Sequence, residues 1–388
     1  MSSFYSWSRF ALRTAASASG VEGAPSKLIF VVTKRCHSRC VYCDIWKVKD
    51  TPGGLDDELS LDEIRSVAAA NPFLQWIDFT GGEPTDRPDF PKVVQAFAEH
   101  CPDLLLVHFP TNGIATSRIA QMVREIHATV RARLVVTVSI DGPPEINDRL
   151  RGIRNDFAHA ITTFAETRKL LGADNVFVGM TLHGHKASCG HTSSELVDQT
   201  FAAINASLRE KNEPALGWEG FHLNIPHLSQ HYYGNNADKQ ADGFGGPVHR
   251  AEVMAALRHA AAQPKSSGAL SMRAVERIYR TEAMRYLSEG RTHITCSALL
   301  STVYLSEKGE VYPCTIWDKP LGNIRRTGYA LMPVIEAARQ AGIRRAVAES
   351  RCPNCWTPCE AYPAIATSPF RSLLALASGG RNISAGSA

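Results

Sequence analysis

The sequence has 388 residues, with 42 lysines and arginines against 38 aspartates and glutamates, which gives a formal net charge of +4. Hydrophobic residues make up 44% and charged residues 21%, the ordinary composition of a globular protein, which excludes a collagen-like fibre or a disordered chain. The charge is small and no block of lysines and arginines accompanies it, so we predict no nucleic-acid partner. The apolar runs are far shorter than the ~18 residues of a membrane-spanning helix, which excludes an integral membrane protein.

Residues 1–25 form a predicted amphipathic or flexible N-terminal segment. On a helix, three of its aromatic side chains share one face and two arginines lie opposite them: Phe4, Trp7 and Phe10, then Arg9 and Arg13. This pattern predicts a peripheral membrane contact through residues 4–13. A frayed or docked segment is the alternative. No apolar stretch with a small-residue cleavage site is recognised, so we expect a cytoplasmic location.

Six short apolar segments alternate with amphipathic stretches between residues 26 and 235. The predicted strands are Leu28–Thr33, Gln75–Thr80, Leu104–Phe109, Leu134–Ile140, Val176–Thr181 and Glu219–Ile225. The predicted helices begin with the Ser60–Glu63 capping box and continue with Pro91–His100, Ile114–Ala128, Phe157–Leu171 and Ser193–Leu208. This alternation predicts right-handed βαβ units and an α/β fold with a parallel sheet, although periodicity alone does not separate a barrel from an open sheet. In both architectures the active edge lies at the C-terminal ends of the strands.

Three further segments follow the alternating region. Residues 236–290 are predicted to form a helical bridge. Residues 291–365 form a predicted small cysteine-rich domain, in which Glu307–Gly309 marks a hairpin turn. Residues 366–388 are mostly small and polar, and we expect a loose tail.

Ten cysteines need a chemical explanation. Eight lie in two close groups, which in a reducing compartment more often bind metal than form disulfides. They are Cys36, Cys40 and Cys43, then Cys296, Cys314, Cys352, Cys355 and Cys359. Cys101 and Cys189 stand alone, and a small buried side chain is the simplest interpretation of Cys101. The C-x3-C-x2-C spacing of the first group can hold three irons of a [4Fe–4S] cluster and leave the fourth iron open, whereas a zinc site would want four ligands.

A second motif, Gly81-Gly82-Glu83, closes the second predicted strand. Two glycines allow a close backbone approach to a ligand, and a carboxylate can pair with an amino group. Together with the cysteine spacing and the alternating strands, this motif is similar to the GGE motif of the radical S-adenosylmethionine (SAM) superfamily. The resemblance implies a partial (β/α)6 TIM-like barrel, in which the first cysteine group holds a [4Fe–4S] cluster and SAM binds the open iron. Glu83 would then pair with the amino group of SAM.

Further positions match this superfamily by their place in the chain. Tyr42 stands where the family has an aromatic residue near the SAM adenine, and Asn112 lies in a Thr-Asn-Gly turn after the third strand. Three more residues resemble an element of the branch with C-terminal auxiliary clusters: Ser139, Asp141 and Arg151. Ser139 and Arg151 would face the SAM carboxylate or ribose. The structural alternatives are a turn at Asn112, a helix cap at Asp141 and a surface charge at Arg151.

The second cysteine group encloses the predicted hairpin. Cys296 and Cys314 match the C-x(9–15)-G-x4-C opening of SPASM and twitch domains, and the later cysteines read C-x2-C-x3-C. The resemblance implies a SPASM/twitch-type domain with one auxiliary [4Fe–4S] cluster, because five thiols cannot supply two all-cysteine sites. Two of Cys352, Cys355 and Cys359 would complete the ligand set, and the sequence does not choose between them. Structural zinc is the alternative, since C-x2-C is common in zinc sites.

Two histidine-rich loops follow the fifth and sixth predicted strands. The first covers residues 183–191, and its spacing fits no standard metal chelate. The second holds His227, His231 and Tyr232 at an edge where imidazoles and phenols suit substrate binding or proton donation. Packing within the loop is the alternative for each of these side chains.

The resemblance also implies an activity. Radical SAM enzymes cleave SAM reductively to methionine and a 5′-deoxyadenosyl radical, which abstracts hydrogen from a substrate, and the cofactors carry this chemistry. The electron would come from a flavodoxin- or ferredoxin-like donor. The substrate stays open between a peptide or protein, a small molecule and a lipid. A zinc-stabilised binding module without catalysis is the alternative from another class, but it leaves Gly81-Gly82-Glu83 unexplained.

Overall fold

The computed structural model describes residues 22–183, 190–235, 247–263 and 270–368. The strands are β1 (Lys27–Thr33), β2 (Trp76–Gly81), β3 (Leu106–Thr111), β4 (Arg133–Ser139), β5 (Val176–Thr181), β6 (Phe221–Asn224), β7 (Thr302–Leu305), β8 (Glu310–Tyr312) and β9 (Gly322–Asn323). The α-helices are α1 (Leu61–Ala70), α2 (Phe90–His100), α3 (Thr116–Thr129), α4 (Pro144–Arg151), α5 (Asp156–Leu171), α6 (Ser193–Glu210), α7 (Pro247–Ala262), α8 (Leu270–Glu289), α9 (Met332–Gln340), α10 (Ile343–Ala348) and α11 (Pro358–Thr367). Within these ranges, no helix has both the length and the apolar character needed to cross a membrane. The predicted contact at residues 4–13, part of the first histidine-rich loop (His185 and Cys189) and most of the predicted tail lie outside the described residues.

The described strands form one sheet in the order β6-β5-β4-β3-β2-β1-β7-β8-β9. Strands β1 to β6 pair in parallel with their neighbours in the chain, which requires the crossover helices between them. Strands β6 and β9 are the two ends of this order, so the barrel is partial and open on one side. The predicted α/β class with a parallel sheet is confirmed, and the architecture is the partial barrel that the resemblance implies.

The C-terminal hairpin extends the same sheet. Strand β7 pairs in parallel with β1, from Lys27 opposite Thr302 to Phe30 opposite Leu305. Strands β8 and β9 continue it in antiparallel fashion, so the predicted hairpin is confirmed. The first strand of the barrel therefore connects the two cysteine-rich parts of the chain.

Apolar side chains explain why these segments form buried strands. All seven residues of β1 are buried, as expected for a central strand covered on both faces. Helix α2 packs on β1, β2 and β3 through mostly edge-to-face aromatic contacts among Phe30, Phe79, Phe90, Phe97 and Phe109. Helix α1 begins at the predicted capping box, where Ser60 and Glu63 hydrogen-bond reciprocally.

Helices α8 and α11 cover the open side of the barrel. The guanidinium of Arg280 in α8 donates to the carbonyls of Trp218 and Phe221, at the start of β6. Trp356, just before α11, donates its indole N–H to the carbonyl of Tyr279 at 2.9 Å. The interior of the barrel is thus walled by strands on one side and by two helices from the C-terminal half on the other.

Candidate active site

Alternate residues of the parallel strands face the inside of the barrel. In β2 these are Trp76, Asp78 and Thr80, because successive side chains of a strand point to opposite faces. They help to line a cavity of about 520 Å³, here called the lumen, which reaches from the first residues of the strands to the last, such as Thr181. Ligand cavities have this size, and a few polar groups in an otherwise apolar wall fix a ligand's orientation.

The three predicted ligand thiols, Cys36, Cys40 and Cys43, line the lumen at the C-terminal end of β1. A backbone hydrogen bond of 2.8 Å from the amide of Arg39 to the carbonyl of Arg151 fixes their loop. Burial raises the pKa of Cys36 to about 12, so its proton has to leave when a metal binds. Three thiols of one loop that face a common cavity fit the donor set of a [4Fe–4S] cluster with one open iron.

The glycines of the second motif have a steric role beside the cysteine loop. A Cβ on Gly81 would lie 2.3 Å from the carbonyl oxygen of Thr33, and one on Gly82 would lie 2.1 Å from that of Arg35. The amide of Gly82 donates to the Thr33 carbonyl at 2.8 Å. The close approach that these glycines permit is therefore between two segments of the chain, in addition to any approach to a ligand. Both glycines also line the lumen.

Glu83 joins the C-terminal ends of β2 and β3. Its side chain is buried and accepts hydrogen bonds from the amide and hydroxyl of Thr85, the hydroxyl of Thr111 and the amide of Asn112. Burial raises the pKa of the Glu83 carboxyl, and these donors oppose the rise. Glu83 and Asn112 both line the lumen. The contact of Glu83 with the SAM amino group stays a prediction, beside the structural role that these hydrogen bonds give the residue.

A buried network connects Tyr42, Asp141 and Arg151. The Asp141 carboxylate accepts from the Tyr42 hydroxyl and from the Arg151 guanidinium, each at 2.8 Å. Tyr42, Arg151 and Ser139 line the lumen, whereas Asp141 is not among its lining residues. The side-chain oxygen of Asn147 accepts a hydrogen bond from the backbone amide of Asp141, which fixes the backbone at this position. Asp141 therefore holds the side chains of Tyr42 and Arg151, which line the lumen, in position.

Replacing Tyr42 with Phe is expected to lower the free energy of unfolding by about 1.5–3 kcal/mol, the usual contribution of a hydrogen bond to a charged group. The ring would keep its stacking on His183, so the loss reports on the hydroxyl alone. Urea unfolding of the metal-free protein measures it. Tyr329→Phe is the matched control, because that phenol donates to Glu63 near the surface, and its change should stay within about 0.5 kcal/mol. Equal losses in both variants would contradict a special contribution of the buried network.

A charged network in the lumen is absent from the sequence-based predictions. Lys27 Nζ lies 2.9 Å from the Asp78 carboxylate. The ring of His108 contacts Asp78 through Nδ1 and the Thr137 hydroxyl through Nε2. The signal that could reveal these residues is a polar side chain at an inward position of an apolar strand, as in the Trp-Ile-Asp-Phe-Thr segment of β2.

The structure separates the three predicted substrate residues. His227 and Tyr232 line the lumen, and burial lowers the pKa of His227 to about 4, so its ring is neutral near pH 7. His231 is not among the lining residues. One of its ring nitrogens contacts Asp318, and the other lies 3.1 Å from the carbonyl of Cys314. His231 therefore connects the loop after β6 to the C-terminal cysteine group.

The five C-terminal cysteines divide into four and one. Four line a separate cavity of about 140 Å³, here called the quartet cavity: Cys296, Cys314, Cys352 and Cys355. Glu360, which no sequence pattern indicates, lines it too, whereas Cys359 lines the lumen. In the part of the chain that the structure describes, no three Cys, His, Asp or Glu side chains are grouped closely enough to hold a single metal ion.

Two kinds of sequence comparison agree with this site. Residues 30–188 match the family model of the Radical SAM superfamily. The mycofactocin maturase MftC of Mycobacterium ulcerans is 30% identical over 208 residues, which cover 51% of this chain and 52% of MftC. The GTP 3′,8-cyclase of Cronobacter sakazakii is 38% identical over 116 residues, which cover 28% of this chain and 32% of the cyclase. The matched region thus spans about half the length of the maturase and a third of the cyclase.

A solved structure has the same fold. Native anSMEcpe with bound AdoMet superposes with a TM-score of 0.54 and 14% sequence identity, and the match covers 92% of this chain and 100% of that chain. The cysteine triad directly after β1 and the Gly81–Glu83 segment at the end of β2 stand where the superfamily motifs are expected. Residues 30–188 therefore form a radical SAM domain by their match to the family model.

Proposed function

We propose that this protein is an enzyme that cleaves SAM reductively at Cys36, Cys40 and Cys43 and uses the resulting radical to abstract hydrogen from a substrate in the lumen. The observation that carries the proposal is one shared cavity. The three thiols, the Gly81–Glu83 segment and the inward side chains of the parallel strands all line it. A substrate in this cavity lies near a radical formed at its C-terminal edge, and the surrounding walls restrict competing reactions with water.

Each part of the chain has its own task in this proposal. When bound, the [4Fe–4S] cluster and SAM supply the one-electron cleavage that yields methionine and the 5′-deoxyadenosyl radical. Arg151 and Ser139 would present a guanidinium and a hydroxyl to the carboxylate or ribose of SAM, and Tyr42 would lie beside the adenine. Asp141 holds Tyr42 and Arg151 in place. A flavodoxin- or ferredoxin-like protein in the cytoplasm is the proposed electron donor.

One auxiliary [4Fe–4S] cluster belongs to the same proposal, in a SPASM/twitch-type domain of residues 291–365. Cys296, Cys314, Cys352 and Cys355 would hold it, because these four line the quartet cavity. Burial, with a contribution from neighbouring thiols of the same set, raises the pKa of three of them, a sign that the thiols lie close together. Cys352 and Cys355 are then the two residues that complete the ligand set.

The substrate class stays open between a peptide or protein and a small molecule. One relative is named a mycofactocin maturase and another a GTP cyclase, and each is matched over only part of its length, so neither name transfers to this chain. The lumen favours a polar group, because Asp78, His108, Thr137 and Asn224 face it. A small polar molecule or one polar side chain of a peptide would suit these partners. The lipid alternative depends on residues 4–13, which lie outside the described residues.

Anaerobic incubation of the reconstituted protein with SAM and dithionite tests the proposal. We expect 5′-deoxyadenosine from the wild type and only background amounts from the Cys36/Cys40/Cys43→Ala variant, which cannot hold the cluster. Cys101→Ala is the matched control, because Cys101 is a buried thiol that lines neither cavity. Equal product from the triple variant would contradict the assignment, as would its absence from wild-type protein with a full iron content. Zinc in place of iron in the purified protein would support the binding-module alternative.

A further inference from the structure

Cys359 lies apart from the other C-terminal cysteines, in the first turn of α11. It lines the lumen and is not among the residues around the quartet cavity. After burial, the charges of Asp78, Lys27 and Glu360 have the largest effects on the pKa of the Cys359 thiol. Thiols of the quartet cavity instead affect one another: Cys314 raises the pKa of Cys296, and Cys355 raises the pKa of Cys314. The fifth thiol is therefore left without a place in either cluster and faces the space proposed for the substrate.

The position of Cys359 is fixed from two sides. Its backbone carbonyl accepts a hydrogen bond of 2.8 Å from Lys27 Nζ at the start of β1. Its side chain packs against the same apolar cluster as Cys36 and Cys43, which includes the buried ring of Tyr232. Burial raises the pKa of the Cys359 thiol to about 12, so the sulfur keeps its hydrogen at neutral pH. A protonated thiol is thus held in the wall of the lumen, on the side where the first cluster would be bound.

Two unpaired hydroxyls in the same wall indicate that a ligand approaches it. Thr315 and Thr357 line the lumen and are 1% and 4% exposed, and neither hydroxyl has a hydrogen-bond partner among the described residues. Thr357 is the N-cap residue of α11, where a threonine hydroxyl usually accepts from the helix, yet it makes no such bond. Because buried polar groups are nearly always paired, these hydroxyls point to a partner supplied from the lumen.

We propose that the Cys359 thiol donates a hydrogen atom to the substrate radical formed in the lumen, an inference that rests on the proposed function. The S–H bond breaks homolytically, a C–H bond forms on the substrate, and a thiyl radical remains on the sulfur. One electron and one proton restore the thiol. The electron would come from the reduced auxiliary iron–sulfur cluster that the four cysteines of the quartet cavity would hold, and the proton would come from water. The product then carries a hydrogen atom from Cys359 in place of the abstracted one, without net oxidation, and has an inverted carbon centre or a rearranged skeleton.

Cleavage of SAM in D2O tests this role without a known substrate. The reconstituted enzyme is equilibrated in D2O, so that S–H becomes S–D, and is incubated anaerobically with SAM and dithionite. With no substrate in the lumen, the 5′-deoxyadenosyl radical takes its hydrogen from the Cys359 thiol. Mass spectrometry should find singly deuterated 5′-deoxyadenosine from the wild type and from Cys101→Ala. Deuterium should be lost in Cys359→Ala and in Cys359→Ser, whose O–H bond is too strong to donate a hydrogen atom.

Iron content is a second measurement, independent of turnover. Both Cys359 variants should keep the iron content of the wild type, whereas Cys355→Ala should lose the iron of the auxiliary cluster. Iron loss in the Cys359 variants would make Cys359 a cluster ligand and overturn the proposal. Deuterium that persists in these variants, or is missing from the wild-type product, would also overturn it. If the alanine variant does not fold, the serine variant, with a side chain of similar size, decides between the outcomes.

The failure of the proposed function would look different. Wild-type protein with a full iron content that yields no 5′-deoxyadenosine contradicts SAM cleavage itself. Normal cleavage with unchanged deuterium in Cys359→Ser contradicts only the role of the thiol. The two results are read from the same product, one from its amount and the other from its mass.

Discussion

Gly82→Ala is expected to lower the formation of 5′-deoxyadenosine by about 10²-fold, although it adds only one methyl group outside the cysteine triad. The new Cβ would lie 2.1 Å from the carbonyl oxygen of Arg35 and 2.9 Å from the carbonyl carbon of Lys34. Both are backbone atoms of the segment that leads into Cys36, so no side-chain rotation relieves the contact. The segment has to move, and a displacement of about 1 Å in a catalytic site can cost about 10²-fold in rate.

The same variant should lose the iron held by the triad, because the displaced segment moves Cys36 away from the position in which the three thiols can bind one cluster. Gly23→Ala is the matched control, since nothing lies within 4 Å of the Cβ built on Gly23. Iron content and 5′-deoxyadenosine per chain are measured for both variants, and the control should match the wild type. Wild-type values of both quantities in Gly82→Ala would mean that the cysteine loop tolerates the displacement, and the steric role of Gly82 would be refuted.

Local features of the sequence account for the barrel strands and for the first cysteine group. Strand β5 has its predicted bounds, and β1 begins at Lys27, one residue before the predicted start. Apolar runs bounded by turn residues are signals carried by a few neighbouring positions, so one sequence suffices to find them. The spacing of Cys36, Cys40 and Cys43 is equally local, and the parallel topology then places them at the active edge.

Features that join distant parts of the chain are not contained in such patterns. The pairing of β7 with β1 and the contact of Lys27 with the carbonyl of Cys359 both connect the two ends of the described chain. The spacing C-x2-C-x3-C likewise cannot tell that Cys355 and Cys359 face different cavities. Helix α4 is absent from the predictions for another reason. It has eight, mostly polar residues, too few to establish a helical period.

Asp78→Asn is expected to lower the free energy of unfolding of the metal-free protein by about 3–5 kcal/mol, as the loss of one partner from a buried ion pair usually does. Lys27 and Asp78 lie 2.9 Å apart, and their side chains are 2% and 8% exposed. Without the carboxylate, the ammonium of Lys27 stays buried without its charge partner, and His108 loses a contact as well. Urea unfolding near neutral pH measures the loss.

Acid should remove the same stabilisation from the wild type. Burial alone would raise the pKa of Asp78, but Lys27 and His108 outweigh burial and hold that pKa below its usual range. A carboxyl with a lowered pKa stabilises the folded protein fully above its unfolded-state pKa of about 3.9. This stabilisation is lost as the pH falls through the folded-state pKa. Below about pH 5, the wild type should therefore lose stability more steeply than Asp78→Asn.

A double-mutant cycle separates the ion pair from the rest of the network. Lys27→Met in the Asp78→Asn background removes the unpaired charge and should recover part of the lost stability. Asp62→Asn is the control, because Asp62 pairs with Arg65 at the surface with side chains 89% and 51% exposed, and its change should stay within about 0.5 kcal/mol. An Asp78→Asn loss as small as that of the control would contradict the prediction. Lys27 also holds the carbonyl of Cys359, so a double variant that regains stability but loses solvent deuterium in its product would connect this ion pair to the placement of the thiol.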